Sequence, residues 1–391
     1  MYFYYIIIGN SAAGISALRA IRSHDKNNSI AVITQSGSTA YNTCLLSDFL
    51  QKKYSVQDLI VYDQALAEKD NVTIFAYTKV VQIDDEHKLV VCEDGRIYRY
   101  EKLLLATGCK PLLPTGINLN SQTGVFTYHT MYDIQEIQKY LSANPVKDVA
   151  VIGAGITGLE CACALSALGL SVTLIEKKRI LGVWPESAGR WICNYIQDHY
   201  KIVCLEQTCV KIILYDNNKV SGVLLDNNTQ FSTQLIIFAV GIKVAHSAIA
   251  FSRLQSIETN IKVDCYMQTD SPSIYAAGDA VQVSSHHGLL PIAQRWTEAV
   301  YQGMCAGLAM VSKDYAYTSR EWETIINLPD SMIAARGQLL DHAWLVEEVY
   351  DKLHYKYLVF DSHGCLQAYL IVGDRKALAE SRKRFKRGSS L

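Results

Sequence analysis

Apolar residues in this chain come in short unbroken runs, each closing on a small-residue turn. The first run, Tyr2-Phe3-Tyr4-Tyr5-Ile6-Ile7-Ile8, meets Gly9-Asn10-Ser11-Ala12-Ala13-Gly14. Unbroken runs, rather than alternation, mark strands covered on both faces. The pattern predicts a strand over 2–8, a tight turn, a helix over 12–23 and a strand over 30–34, which together make a βαβ unit. A loop is expected at 41–50, then strands near 72–76, 79–84, 88–92 and 96–100. The run Leu103-Leu104-Leu105-Ala106-Thr107-Gly108 closes the region. Pro111 and Pro114 exclude a regular helix between them, so a domain crossing is placed there.

After a helix over 131–142, the opening order recurs. A strand (148–152) leads to the turn Gly153-Ala154-Gly155-Ile156-Thr157-Gly158, then a helix (159–168) and a strand (171–176). This internal repeat predicts two dinucleotide-binding folds in one chain. The run ending Ala239-Val240-Gly241 echoes the one ending at Gly108. Ser273–Asp279 reads as another strand closing on a turn, followed by a helix at 296–311. The tail differs in character, with strands at 355–360 and 366–372 and a basic end, 382–387, expected to be solvated or frayed. The expected fold class is α/β: two Rossmann-like domains and a small α+β C-terminal domain. The first domain is discontinuous (1–110 and 242–315), the second (111–241) is inserted into it, and the third spans 316–391.

Charge and composition narrow the function. No basic residue precedes the first apolar run, so it does not read as a secretory signal, and no run approaches the ~20 residues of a membrane helix. With a net charge of −1, nothing argues for nucleic acid or a membrane surface as partner. The eleven cysteines form no C-x-x-C and no metal-binding spacing, so they read as reduced thiols of a cytoplasmic protein, without a metal.

The glycine turns carry the candidate chemistry. In a Rossmann turn the first glycine permits the tight bend, the second lets backbone approach a pyrophosphate, and the third lets helix and strand pack closely. The helix N-terminus then presents free N–H groups to phosphate. Residues 153–158 satisfy G-x-G-x-x-G in full, with Gly153, Gly155, Ile156, Thr157 and Gly158 at the phosphates. Glu176 stands where a carboxylate would accept from a ribose 2′-hydroxyl, which favours NADH over NADPH. Lys177, Lys178 and Arg179 leave a 2′-phosphate open. In the first turn, Gly9 to Gly14, Ser11 replaces the middle glycine, and the strand that follows ends Ile33-Thr34-Gln35 without an acid.

Four landmarks in order resemble the pyridine nucleotide-disulfide oxidoreductase superfamily: the early G-x-x-x-x-G, Ala106-Thr107-Gly108, Gly153–Glu160 and Ile274–Ala280. The resemblance covers about residues 1–315. It implies that the first fold binds FAD and the second NAD(P)H, with Asn10, Ala12, Ala13, Thr34, Gln35, Thr43, Val80 and Gly241 among the cofactor-lining positions. Asp279 beside Gly278 would bond the ribityl chain. The helix starting at Trp296 and Thr297 would aim its N-terminus at the flavin pyrimidine edge. Glu160 would lie near flavin N5 and the nicotinamide amide.

Within the superfamily, Cys44 is followed by Phe49 where disulfide reductases carry a second cysteine, so a dithiol relay is excluded there. The segment is most similar to rubredoxin reductases, the flavin module of nitrite reductases and NADH oxidase-like proteins. The resemblance implies hydride transfer from NADH to flavin N5 and onward delivery to a small redox protein or partner domain. Two alternatives stay open: an NADH oxidase, peroxidase or coenzyme A disulfide reductase using Cys44, and a non-catalytic flavin sensor or subunit. Either a monomer or a homodimer is compatible with these features. Thr43 in place of the usual arginine, and Lys243-Val244-Ala245 after Gly241, depart from the family pattern.

Overall fold

A computed structural model describes residues 1–115, 117, 119, 123–245, 249–251, 260–285, 288–290, 292, 294–311, 315–339 and 345–387. The His286-His287 pair, whose neighbouring imidazoles without further ligands suggest a solvated turn, lies outside the described residues. The chain divides into two compact units. One comprises Met1–Cys44, Val56–Lys110 and Ile242–Arg320, and the other Leu45–Ser55, Pro111–Gly241 and Glu321–Leu391.

In the first unit, the strand Tyr2–Ile8 lies between Ile30–Ile33 and Ile97–Leu105, parallel to both. The sheet runs on to Val72–Phe75 at one side and through the antiparallel strands Leu89–Cys92 and Val80–Asp84 at the other, while Ile274–Ala276 joins Ile97–Leu105 in parallel. Ile6 and Ile7 are wholly buried, as a strand covered on both faces requires. The two runs expected at 96–100 and 103–105 are one strand. Glu101 and Lys102, which read as a break, are accommodated because Lys88 pairs with Glu101 and the Lys102 ammonium donates to the Met310 carbonyl. The helix Ala12–His24 packs on the helix Trp296–Val311 at backbone contact. A Cβ on Gly303 would stand 2.2 Å from the Ala13 carbonyl oxygen, and one on Gly307 2.5 Å from that of Ala17.

In the second unit, Val125–Thr127, Leu235–Phe238, Asp148–Ile152, Ser171–Ile175 and Val203–Leu205 form an all-parallel sheet in that order. A three-stranded antiparallel sheet, Val210–Asp216, Lys219–Leu225 and Gln230–Ser232, closes over it, with Val220, Val223 and Leu225 packed on Ile152, Ile175 and Phe238. The helix Ile156–Ala167 starts three residues before the expected 159, inside the six-residue glycine motif, with Gly155 as its N-cap. The loop expected at 41–50 ends in a short helix, Leu46–Leu50, because Leu46, Phe49 and Leu50 share one buried face. From Thr324 onward a five-stranded antiparallel sheet carries the helix Arg375–Arg387. The basic end is therefore helical rather than frayed. Leu378 and Phe385 pack onto the sheet, and Arg382 is paired with the half-buried Glu323 carboxylate. Among the described residues, no helix is long and apolar enough to cross a membrane.

Candidate active site

The first turn is locked by contacts that only glycine tolerates. Gly9 has φ +107°, and a Cβ there would stand 2.2 Å from the Ala106 carbonyl oxygen; one on Gly14 would stand 2.0 Å from the Gly9 carbonyl oxygen. Strand, turn and Ala106 are thereby pressed together, and the amides of Ala12, Ala13 and Gly14 open the helix without intrahelical partners. Ser11 is the exposed N-cap residue, and its hydroxyl does not cap the helix.

Where a ribose-binding acid could stand, the structure has a neutral network. The Thr34 hydroxyl donates to Asn10 Oδ1 at 3.0 Å, and Asn10 Nδ2 donates to the Gly37 carbonyl at 2.9 Å. Gln35 is exposed beside it, and Val80 is buried at the start of its strand. Thr107 Oγ1 is buried without a hydrogen-bond partner. Gly108 turns the chain at φ +61°, and its carbonyl accepts from the Ala245 amide.

Gly278 brings the other landmark to the same helix pair. It has φ +87°, and a Cβ there would meet Ala13 Cβ at 3.0 Å. Its amide donates to Gln302 Oε1 at 2.9 Å, and the Gln302 amide group reaches Glu298, a carboxylate that is 1% exposed. The Asp279 carbonyl accepts from Asn260 Nδ2 at 3.1 Å and from the Cys109 thiol. Burial, with the Asp279 charge nearby, pushes that thiol up to about 12. Trp296 is half-buried and Thr297 exposed at the start of the helix. Thr43 and Cys44 sit in a single 3₁₀ turn, with Cys44 exposed and its amide donating to Asn42 Oδ1 at 2.9 Å.

The turn of the second unit repeats this logic with one instructive difference. A Cβ on Gly153 would stand 2.4 Å from the Ala239 carbonyl oxygen and one on Gly158 1.9 Å from that of Gly153, yet one on Gly155 would meet nothing within 4 Å. Gly155 is the exposed N-cap of Ile156–Ala167, with Thr157 exposed next to it. Glu176 closes the site. Its Oε2 accepts from the Ala154 amide at 2.8 Å and its Oε1 from the Lys178 amide at 2.9 Å. Beside it lies a cleft of about 460 Å³ lined by Lys178, Arg179, Glu186, Arg190, Glu206 and Gln207. The Arg179 guanidinium donates to the Trp184 carbonyl at 3.0 Å and pairs with Glu186 at 3.6 Å. Gly241, at φ +112°, accepts from the Leu112 amide.

Glu160 lies one turn into the same helix. Its Oε1 accepts from the Asn327 amide at 3.2 Å. Burial, aided by the Asp48 charge and opposed by that hydrogen bond, lifts its carboxyl to about 7.

The sequence profile described as pyridine nucleotide-disulphide oxidoreductase matches residues 3–303. The chain belongs to that family. An NADH oxidase of Methanocaldococcus jannaschii is 32% identical to it over 314 residues, covering 77% of this chain and 68% of the relative. A nitric oxide reductase FlRd-NAD(+) reductase of Vibrio vulnificus is 30% identical over 301 residues, covering 74% of each. In fold, the chain is similar to the putidaredoxin reductase–putidaredoxin covalent complex, with a TM-score of 0.84 at 19% identity over 98% of this chain and 93% of that one. Family membership makes the chain an NAD(P)H-dependent flavoprotein oxidoreductase.

The residues of both turns fit such cofactors. The first has a Ser11 hydroxyl that does not cap the helix, and the segment after Ile97–Leu105 leaves the Thr107 hydroxyl buried and unsatisfied. The second leaves open space at Gly155, where phosphate would approach. Sequence reasoning missed Gly303 and Gly307, although their small-x-x-x-small spacing signals close helix packing. It also missed Gln302 and Asn327, which no local pattern marks.

Proposed function

We propose that the chain oxidises NADH and passes the electrons through FAD to a small redox protein or partner domain. The observation that carries the nicotinamide half is Glu176. Two backbone amides hold its carboxylate at the end of Ser171–Ile175, next to the open Gly155. A carboxylate so placed accepts from a 2′-hydroxyl and repels a 2′-phosphate. Arg179, the residue best suited to a phosphate, is engaged by Trp184 and Glu186.

FAD, when bound, accepts a hydride and can release electrons singly. For that cofactor, Gly9, Ser11 and the first amides of Ala12–His24 hold the pyrophosphate. Thr34 with Asn10 and Gln35 faces the adenosine ribose as a neutral group, and Val80 offers backbone to the adenine. Thr107 Oγ1 and Asp279 bond the ribityl region. Trp296 and Thr297 contribute helix amides at the pyrimidine edge, where their partial positive charge favours electron uptake. Thr43 lines the isoalloxazine. For the nicotinamide nucleotide, Gly153, Ile156, Thr157 and Gly158 hold the pyrophosphate, and Gly241 borders the nicotinamide end. Glu160 keeps a proton on its carboxyl up to about neutral pH, so it donates a hydrogen bond to the carboxamide and orients the ring.

Kinship supports this acceptor, since one relative is named as a FlRd-NAD(+) reductase. A second reading rests on Cys44, whose exposure leaves it open to peroxide or disulfide, and on the relative named NADH oxidase. Anaerobic titration of the yellow holoprotein tests both. Bleaching by one equivalent of NADH, with far weaker response to NADPH and reoxidation by a rubredoxin, supports the first reading. Uptake of four electrons in wild type and two in Cys44→Ser supports the second. A flavin that NADH never bleaches sinks both.

A further inference from the structure

Two cysteines that lie eleven positions apart in sequence are brought side by side by the helix Glu186–Tyr200 and the strand Val203–Leu205. The helix ends at Tyr200, and Lys201 reverses the chain at φ +57°. The Ile202 amide bonds the Ile196 carbonyl at 3.4 Å, a six-residue cap that turns the chain back toward the helix. Cys193 stands seven residues back along the helix, about 10.5 Å at a rise of 1.5 Å. Cys204 stands three residues on from the reversal, about 10 Å at a rise of ~3.3 Å. The two residues therefore stand at the same height on neighbouring elements, where the Cys193 thiol donates to Gln197 Oε1 at 3.6 Å and the Cys204 thiol to the Ile202 carbonyl at 4.0 Å. Both are free and half-buried.

We propose that Cys193 and Cys204 are an oxidative modification site, a dithiol that a hydroperoxide closes to a disulfide and that thereby alters the nucleotide-binding loop. With hydrogen peroxide as the oxidant, the Cys193 thiol gives up its proton and the thiolate attacks a peroxide oxygen; an S–O bond forms, the O–O bond breaks, and the departing hydroxide takes up that proton to leave as water. The Cys204 sulfur then attacks the Cys193 sulfur. An S–S bond forms, the S–O bond breaks, and the hydroxide takes the Cys204 proton to leave as a second water. Two thiols lose two electrons and the peroxide gains them. The order of attack follows the local chemistry. Cys204 beside it holds the Cys193 thiol below its ordinary value against the effect of burial, while Cys193 and burial raise Cys204.

The consequence travels through one short segment. The Leu205 carbonyl, next to Cys204, accepts the Glu176 amide at 2.8 Å, and Glu206 Oε1 accepts the Ile180 amide at 2.6 Å. The Gln207 amide bonds the Lys178 carbonyl, and the Thr208 amide that of Glu176. Segment 205–208 is thus the support of the loop 176–180. An S–S bond of about 2 Å is shorter than any non-bonded approach of two thiols, so closure draws the strand toward the helix and shifts that support. The effect on NADH rests on the nucleotide reading above; the disulfide itself does not.

The test uses reduced holoprotein, one equivalent of hydrogen peroxide, alkylation and peptide mapping, with limited trypsinolysis at Lys178 and Arg179 and NADH titration in parallel. The expected map shows Cys193 joined to Cys204, and Cys204→Ser carries a dimedone adduct on Cys193. Cleavage at the loop accelerates several-fold and the NADH Kd rises about tenfold. Dithiothreitol reverses both changes, and Cys193→Ser shows neither. If peroxide oxidises other thiols and leaves this pair reduced, or if the disulfide forms with cleavage and Kd unchanged, the proposal is overturned. If linkage and cleavage respond but the reduced protein never binds NADH, the modification site stands and the nucleotide reading is what fails.

Discussion

The Asn327 amide donates to Glu160 Oε1 at 3.2 Å, across 167 positions of sequence. One hydrogen bond does not compensate a carboxylate for lost water, so the group titrates near 7 instead of near 4.5. The sign of the pH effect follows. Between about 4.5 and 7 the folded protein holds a proton that the unfolded chain has released. The stability this contributes is complete below 4.5 and is lost as the pH rises to 7. Glu160→Gln keeps the acceptor for Asn327 and cannot ionise. We expect urea melts of wild type and Glu160→Gln to coincide near pH 4.5, and the variant to be about 2 kcal/mol more stable at pH 8, after allowance for partial solvent screening. Equal stability at pH 8 would contradict a buried, reluctant carboxylate.

Gly303→Ala tests the helix pair that supports the Gly278 turn. The new methyl would stand 2.2 Å from the Ala13 carbonyl oxygen, backbone that cannot swing away. The helices must separate, at a cost of about 2 kcal/mol, and the buried Gly278–Gln302 hydrogen bond lengthens with them. The expected outcome is a lowered melting temperature together with faster flavin release, read by absorbance of the ultrafiltrate. Lower stability with flavin retained would separate helix packing from cofactor binding.

Much of this site could be read in the sequence because its constraints are local. A positive φ at Gly9 or Gly153, and a strand running into a helix across six residues, leave a pattern within one window. The same holds for Tyr2–Ile8, Asp148–Ile152, Trp296–Val311 and Leu366–Val372, whose bounds agree with the apolar runs. The strand Ile97–Leu105 was not legible, because Glu101 and Lys102 find partners at Lys88 and Met310 that only the fold supplies. Glu186–Tyr200 was missed for a related reason. Its aromatic residues Trp191, Tyr195 and His199 recur every fourth position and stack along the helix, but the polar residues Asn194, Gln197 and Asp198 between them hide the stripe. Cys193 and Cys204 counted in the sequence only among the reduced thiols, because it is the reversal at Lys201 that turns the strand back toward the helix.

Glu176→Ala should separate the two nicotinamide nucleotides. The substitution removes the acceptor for the Ala154 and Lys178 amides and the one offered to a ribose hydroxyl. Hydrogen bonds to a charged group contribute about 1.5–3 kcal/mol, so the NADH Kd should rise by about one to two orders of magnitude. NADPH loses a repulsive carboxylate at the same time, so its affinity should hold or improve. Fluorescence titration with both nucleotides checks this; an equal loss for the two would mean that Glu176 only braces the turn.

The two glycines flanking the second turn give opposite outcomes from the same chemical change. A methyl on Gly158 would lie 1.9 Å from the Gly153 carbonyl oxygen, inside the packed junction of strand and helix, so Gly158→Ala should destabilise the unit by several kcal/mol or prevent its folding. A methyl on Gly155 meets no protein atom within 4 Å and the residue has φ −75°, so Gly155→Ala strains nothing in the chain. Its methyl instead occupies the space left for phosphate, at the N-cap where the free amides of Ile156 and Thr157 converge. Gly155→Ala should therefore melt within a degree or two of wild type and keep its flavin, yet bind NADH at least tenfold more weakly. Circular dichroism melts paired with anaerobic NADH titration read both quantities. Unchanged NADH affinity in a well-folded Gly155→Ala protein would remove the pyrophosphate from this turn.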